Sequence, residues 1–441
     1  NRFKMSRKIK PDTWPGQIPR RSFLKTSATA MAGLPFVPVA GPFPFQDKHN
    51  NALTHSTMDP QKSLIGQYGP WAVSQMPDPP LLSYRREVFD DLDGWRKTAK
   101  EKVENCLAAP DIGGLPEVTV HRQYEYDGLE IEEISWQLPF GRPTEAVVLK
   151  PKNAEGPLPA VLGLHDHAGN KYLGKRKIIR TQDDLPSFQK ELQEWIYEDQ
   201  PWANELAKRG YVVLVHDVFT FGSRRVYYQD VAGFEWGPLA ITDQTDDDPE
   251  NPENVRAYNE WAAEHEHIMA KSLFSAGLCW PGVFLREDQR ALDVLCARPD
   301  VDVDRIGCAG LSGGGLRTAY LGGLDTRIKA AVCAGFMTTW ADLILNKSFT
   351  HTWMAYIPLI PRYLEFAEIY SLRAPLPTMV LNNNHDTLFT LAEMQRADRV
   401  LREVFEKAGA GARYDCRFYD GPHKFDRQMQ QEAFDWLERW L

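Results

Sequence analysis

Cysteine is scarce in this chain of 441 residues: Cys106, Cys279, Cys296, Cys308, Cys333 and Cys416 are all there is. No two stand in C-x-x-C spacing, which excludes the common zinc and dithiol motifs. Cys308 and Cys333 fall inside apolar runs and are expected as buried free thiols. Positive charge is also in deficit, 51 Lys and Arg against 60 Asp and Glu, for a net charge of −9. That balance argues against nucleic acid or an anionic membrane as the main partner. No apolar run is long enough for a permanent membrane-spanning helix. No internal repeat is visible, which removes propellers and solenoids. What is present is a hydrophobic share of 43%, enough for one large α/β domain with extensions.

The N-terminal region reads as an address. Arg20-Arg21-Ser22-Phe23-Leu24-Lys25 is followed by a mildly apolar, small-residue stretch to Ala40. This is similar to a twin-arginine export signal. Residues 1–40 are expected to engage the twin-arginine export machinery, and the mature chain to be periplasmic or extracellular. Residues 41–80, rich in Pro, Asn, Gln and Ser, read as a surface linker. Over 84–108, Val88, Leu92, Trp95, Ala99, Val103 and Leu107 recur at helical spacing, which predicts a helical extension. Residues 41–112 are thus linker plus extension, and 113–441 the catalytic domain.

That domain opens with three strands, 118–126, 129–137 and 145–150, an antiparallel entry to a sheet. Strands and helices then alternate: strand 160–164, helix 202–209, strand 211–216, helix 281–297, strand 305–309, strands 328–334, 378–381 and 413–418, and a last helix 424–441. Such alternation implies an α/β fold whose mostly parallel sheet carries helices on both faces. Two excursions, 227–278 and 337–372, exceed simple connections and read as lids or binding loops. The second is aromatic, with Trp340 and Trp353 as candidate substrate-binding residues.

At the end of strand 305–309 stands Gly310-Leu311-Ser312-Gly313-Gly314. A G-x-S-x-G between strand and helix is a nucleophile elbow. The serine sits on a tight turn whose flanking glycines avoid crowding, and the following helix aims its amides at the site. A serine hydroxyl needs a base held in one tautomer by an acid. Where an elbow heads a helix in such a sheet, the partners follow in the order acid, then histidine. Asp386 lies in the loop after strand 378–381, and His423 in the loop after strand 413–418. Asp386 competes with a simple capping role. Asp420, on the base's own loop, competes as the acid but reads as a turn former. His385 neighbours the acid and is a candidate substrate contact.

An oxyanion needs two N–H donors. Gly313 supplies one, and the loop His165-Asp166-His167-Ala168-Gly169 the other, through His167 or Ala168. A metal held by His165 and His167 lacks a third ligand in the sequence. His265 and His267 flank Glu266 on a helix, two apart and so on different faces. His216 and Asp217 read as structural.

With these stretches, together with 202–217, 288–315, 374–386 and Gly421-Pro422-His423, the chain resembles the α/β-hydrolase superfamily, within it the bacterial dienelactone-hydrolase-like and acetyl-xylan-esterase-like group. The resemblance implies Ser312, Asp386 and His423 as a triad and Gly313 as an oxyanion donor. It implies an exported serine ester hydrolase that needs no metal or organic cofactor. Its substrate would be a small-molecule or oligosaccharide ester, an acetyl or other small acyl ester of a carbohydrate. Two departures are visible: Asn384-His385 where the group often has glycine, and serine where true dienelactone hydrolases use cysteine. Two rival readings share this scaffold. A serine peptidase of the prolyl-oligopeptidase type is disfavoured by the missing propeller, and a non-catalytic binding protein has no need of all three triad residues.

Overall fold

The computed structural model describes residues 63–233, 246 and 250–441. The export signal and the first part of the linker lie outside them, as does the acidic run at 243–249 apart from Asp246. Nine strands form one sheet: β1 (Val118–Tyr126), β2 (Leu129–Trp136), β3 (Thr144–Pro151), β4 (Leu158–Leu164), β5 (Val212–His216), β6 (Val301–Leu311), β7 (Ala330–Ala334), β8 (Thr378–Asn383) and β9 (Tyr414–Tyr419). Their spatial order is β1-β2-β3-β5-β4-β6-β7-β8-β9. The pairs among β1, β2, β3 and β5 are antiparallel, and every pair from β5–β4 to β8–β9 is parallel.

Side chains alternate across the central strands as a period of two requires. In β4, Ala160, Leu162 and Leu164 face one layer and Val161 the other; in β6, Ile306 and Cys308 oppose Ala309 and Leu311. The first layer is closed by α2 (Leu92–Leu107), α6 (Trp280–Cys296) and α7 (Gly313–Leu324). The second is closed by α3 (Ser187–Tyr197), α4 (Trp202–Lys208) and α10 (Arg427–Trp440). Burial on both strand faces is what parallel strands need. Cys308 and Cys333 are buried and free.

Two expectations need correction. The helical extension begins at Leu92, not 84, because Asp91 accepts from the amides of Asp93 and Gly94 and caps the helix there. Val88, which fits the helical spacing, is exposed instead. The linker contains a short helix, α1 (Tyr68–Ser74), with Pro70 in its first turn, where a missing N–H does no harm. Leu64 N donates to Leu345 O at 3.0 Å, docking this segment on the aromatic excursion. The excursion 227–278 is dominated by a helix of 24 residues, α5 (Pro252–Ser275), capped by Asn251 with Pro252 at its start. Two further helices are α8 (Phe366–Ser371) and α9 (Leu391–Lys407). No single helix among the described residues is long and apolar enough to cross a membrane.

Candidate active site

Strand β6 delivers Ser312 into the bend before α7 with φ 56° and ψ −118°. A non-glycine residue at such a φ stores strain of about 1–3 kcal/mol and persists only where its surroundings enforce it. Here the enforcement is close packing. A Cβ on Gly314 would lie 2.0 Å from Leu164 O, and one on Gly310 would lie 2.5 Å from the same oxygen. Both glycines are therefore required by backbone proximity. The amide of Ser312 donates to Ala334 O at 2.8 Å, tying the bend to the end of β7.

His423 arrives from the loop after β9. Its Nδ1 lies 2.6 Å from Asp386 Oδ2, while Asp386 Oδ1 accepts from Leu388 N at 2.8 Å. Asp386 therefore both turns its loop and orients the imidazole; the N-cap position of α9 is Thr390, whose side chain makes no capping bond. Asp420 is exposed and stands near His385 Nε2 instead, at 3.6 Å. Burial would lower the His423 pKa, but the Asp386 carboxylate outweighs it, so the pKa is raised above the ordinary value. The imidazole packs on Gly335, where a Cβ would meet His423 Cε1 at 2.9 Å. Gly335 has φ 58°, a conformation that suits glycine. The turn 334–335 is thus touched by Ser312 through its amide and by His423 through its ring.

The loop after β4 lies against the start of α7. The atom nearest the Cβ position of Gly313 is the amide nitrogen of His167, 3.1 Å away. Of the two candidates left open by the sequence, His167 is the one whose N–H neighbours Gly313; Ala168 turns the loop with φ 47°. The His167 ring is held away from the bend. Its Nδ1 accepts from Gly169 N at 3.0 Å, so Nε2 carries the proton and donates to Glu266 Oε1, also at 3.0 Å. Lys171 Nζ donates to the same carboxylate oxygen. Burial would raise the Glu266 pKa, but Lys171 and His167 override it and hold it at about 2. Burial and the Lys171 charge push His167 down to about 4, so its ring is neutral at physiological pH. His165 turns its own Nδ1 to Asp166 O, so the two loop histidines share no hydrogen-bond partner, though both rings pack on Phe221.

Other expected residues settle differently. Trp340 is a core residue rather than a substrate contact: it is buried, its Nε1 donates to Leu364 O at 2.9 Å, and its ring meets Phe366. Trp353 is exposed on the same excursion, as is Phe349. His385 is largely exposed at the rim of the acid loop. Asp217 accepts from the amides of Lys175 and Ser223 and fixes the loop after β5, as read from the sequence. His216 contacts Asp288 within a buried cluster.

Sequence reasoning missed four contributors. His351 lies between Phe336 and Phe389, with its Nδ1 on Lys347 O, and burial lowers its pKa to about 4. Lys171, Lys177 and Glu266 brace the loop after β4. The only signal for Glu266 was its place between two histidines, and its partner turns out to be a third histidine, His167.

No family model matches the chain. It is 28% identical over 338 residues to YtaP of Bacillus subtilis, a hydrolase by provisional assignment, covering 75% of this chain and 96% of that one. Among solved structures, an acetyl xylan esterase by provisional assignment from Bacteroides fragilis superposes with a TM-score of 0.53 at 18% identity, over 74% of this chain and 75% of that one. A glucuronoyl esterase from Solibacter usitatus superposes with a TM-score of 0.53 at 15% identity, over 83% and 99%. The fold is that of the α/β hydrolases. In an α/β hydrolase the bend between the nucleophile strand and its helix is where chemistry is expected, and here Ser312 occupies that bend.

Proposed function

We propose that the protein is a serine ester hydrolase acting on carbohydrate-linked esters of small acyl or alkyl groups. The observation that carries this reading is the Asp386-paired imidazole of His423, packed on the turn that also holds the amide of Ser312. In the proposed sequence Ser312 Oγ attacks the ester carbonyl and His423 Nε2 takes its proton. Asp386 keeps the imidazole in the Nδ1–H tautomer and stabilises its charged form. Negative charge gathers on the carbonyl oxygen before the N–H groups of Gly313 and His167. Collapse expels the alcohol, which takes the proton from His423, and leaves an acyl-serine. Water, activated by the same base, then releases the acid and restores Ser312. The neighbours named as acetyl xylan and glucuronoyl esterases support a carbohydrate ester as substrate, and exposed Trp353 and Phe349 suit stacking against sugar rings. The proposal also places the enzyme outside the cytoplasm, on the strength of Arg20-Arg21 and the small-residue stretch that follows.

A panel of acetylated and methyl-esterified oligosaccharides, beside an aryl acetate and an aminoacyl anilide, tests this reading. Turnover of at least one sugar ester and the aryl acetate, with the anilide untouched, is the expected result. Cleavage of the anilide alone would favour the peptidase reading.

A pH profile tests the base. A protonated His423 accepts no proton, so kcat/KM falls as pH drops through its pKa. Because that pKa is raised, the acid limb is expected above the ordinary histidine value of about 6.5. In Asp386→Asn the paired carboxylate is gone and burial is opposed only by the smaller pull of Asp166, so the limb moves to lower pH while the rate falls. An acid limb unmoved by this substitution contradicts the pairing.

A further inference from the structure

The turn Gly174–Lys177 ends in a lysine whose side chain is fully buried. Its Nζ lies 2.5 Å from Asp166 O and 2.7 Å from His167 O. The carboxylate nearest to it, Asp166 Oδ2, is 3.7 Å away, while Asp166 Oδ1 accepts from the Tyr197 hydroxyl. The ring of Phe221 covers the ammonium at 4.8 Å. The cation is therefore spent on two consecutive main-chain oxygens. Burial lowers its pKa to about 8, with Asp166 opposing, so the charge is present at neutral pH.

The geometry of the peptide bond turns this grip into a consequence for the site. The bond between Asp166 and His167 is trans, so its N–H points opposite to its C=O. Lys177 holds the C=O on one side. The N–H emerges on the other, where the His167 nitrogen lies 3.1 Å from the Cβ position of Gly313. Among the described residues no acceptor takes that hydrogen.

We propose that Lys177 is a positioning residue of the oxyanion site: its ammonium fixes the plane of the Asp166–His167 peptide and polarises it, so that the His167 N–H becomes a stronger donor to a developing oxyanion. This rests on the reading of Ser312 as nucleophile. The strengthening is felt where negative charge has formed, in the transition state and tetrahedral intermediate, and little in the bound ester. A lysine that only braced the loop would affect stability, and would not separate kcat from KM.

The test compares wild type, Lys177→Met, which keeps length without charge, and Lys177→Arg, which keeps charge, on an aryl acetate. The methionine variant is expected to lose roughly 10- to 100-fold in kcat with KM changed less than about threefold. Its affinity for an aryl trifluoromethyl ketone, which forms a tetrahedral oxyanion on the nucleophile, falls by the same factor as kcat/KM. The arginine variant retains most of the rate. A folded methionine variant with wild-type kcat and wild-type ketone affinity overturns the proposal. A crystal structure of the wild-type ketone adduct gives a second check that needs no variant. The oxyanion is expected about 3 Å from the amide nitrogens of both His167 and Gly313, and an oxyanion facing Ala168 N instead overturns the proposal. Absence of ester turnover in wild type sinks the esterase reading itself, an outcome distinct from an active wild type whose kcat ignores Lys177.

Discussion

Ser312→Ala is expected to lower turnover of the best ester by roughly four to six orders of magnitude and to leave the fold intact. The loss is large because, in the proposed mechanism, the hydroxyl forms the covalent bond. The fold survives because the bend is enforced by Gly310 and Gly314 against Leu164 O and by the Ser312 amide on Ala334 O, none of which uses the hydroxyl. Alanine also keeps the strain of a positive φ, so stability changes little. Ser312→Gly behaves differently. It removes the same hydroxyl while relaxing the backbone, and is expected to be more stable than wild type by about 1 kcal/mol. Thermal unfolding measured beside activity checks both, and an alanine variant retaining more than a trace of activity would place the nucleophile elsewhere.

Arg317→Ala is expected to destabilise the protein by about 3–5 kcal/mol. Arg317 is buried on α7, the helix that follows Ser312, and reaches Asp288 on α6 with both Nε and Nη2. Nη2 also approaches His216 at the end of β5, and Nη1 donates to His165 O on the loop after β4 at 3.3 Å. One guanidinium thus joins α6, α7, β5 and the loop that carries His167. The Arg317 charge, with a hydrogen bond from His216, holds the Asp288 pKa down against burial. Removing the arginine strands that carboxylate without its counter-charge. Pairing Arg317→Ala with Asp288→Ala in a double-mutant cycle is expected to recover part of the loss, because the stranded charge goes too. Denaturant unfolding of the four proteins measures this, and simple additivity of the two losses would show the pair to be uncoupled.

The sheet was legible because strands buried on both faces leave short apolar runs, such as Val212 to Val215, that stand out between polar helices. The elbow was legible because its glycines are demanded by contacts a Cβ would violate. The pairing of Asp386 with His423 was legible by order and position: each follows a strand in the parallel half of the sheet. The bracing of the loop after β4 was not legible. Lys171, Lys177 and Glu266 are charged residues in ordinary polar contexts, and Lys171 finds Glu266 across 95 residues of chain. Nothing local distinguishes a lysine buried on main-chain oxygens from one in water. Trp340 shows the same limit from the other side. An aromatic on a lid-like excursion looks available to a substrate, but Phe366 and Leu364, both within that excursion, fold back and enclose it.

The central claim is that the Ser312 hydroxyl is the nucleophile, activated by His423. Peptide-mapped mass spectrometry of wild-type protein after reaction with a fluorophosphonate tests it most directly, with His423→Ala as the companion sample. The account predicts a single adduct on Ser312, formed far more slowly in His423→Ala. An adduct on another residue, or an unmodified Ser312 in active protein, would contradict it.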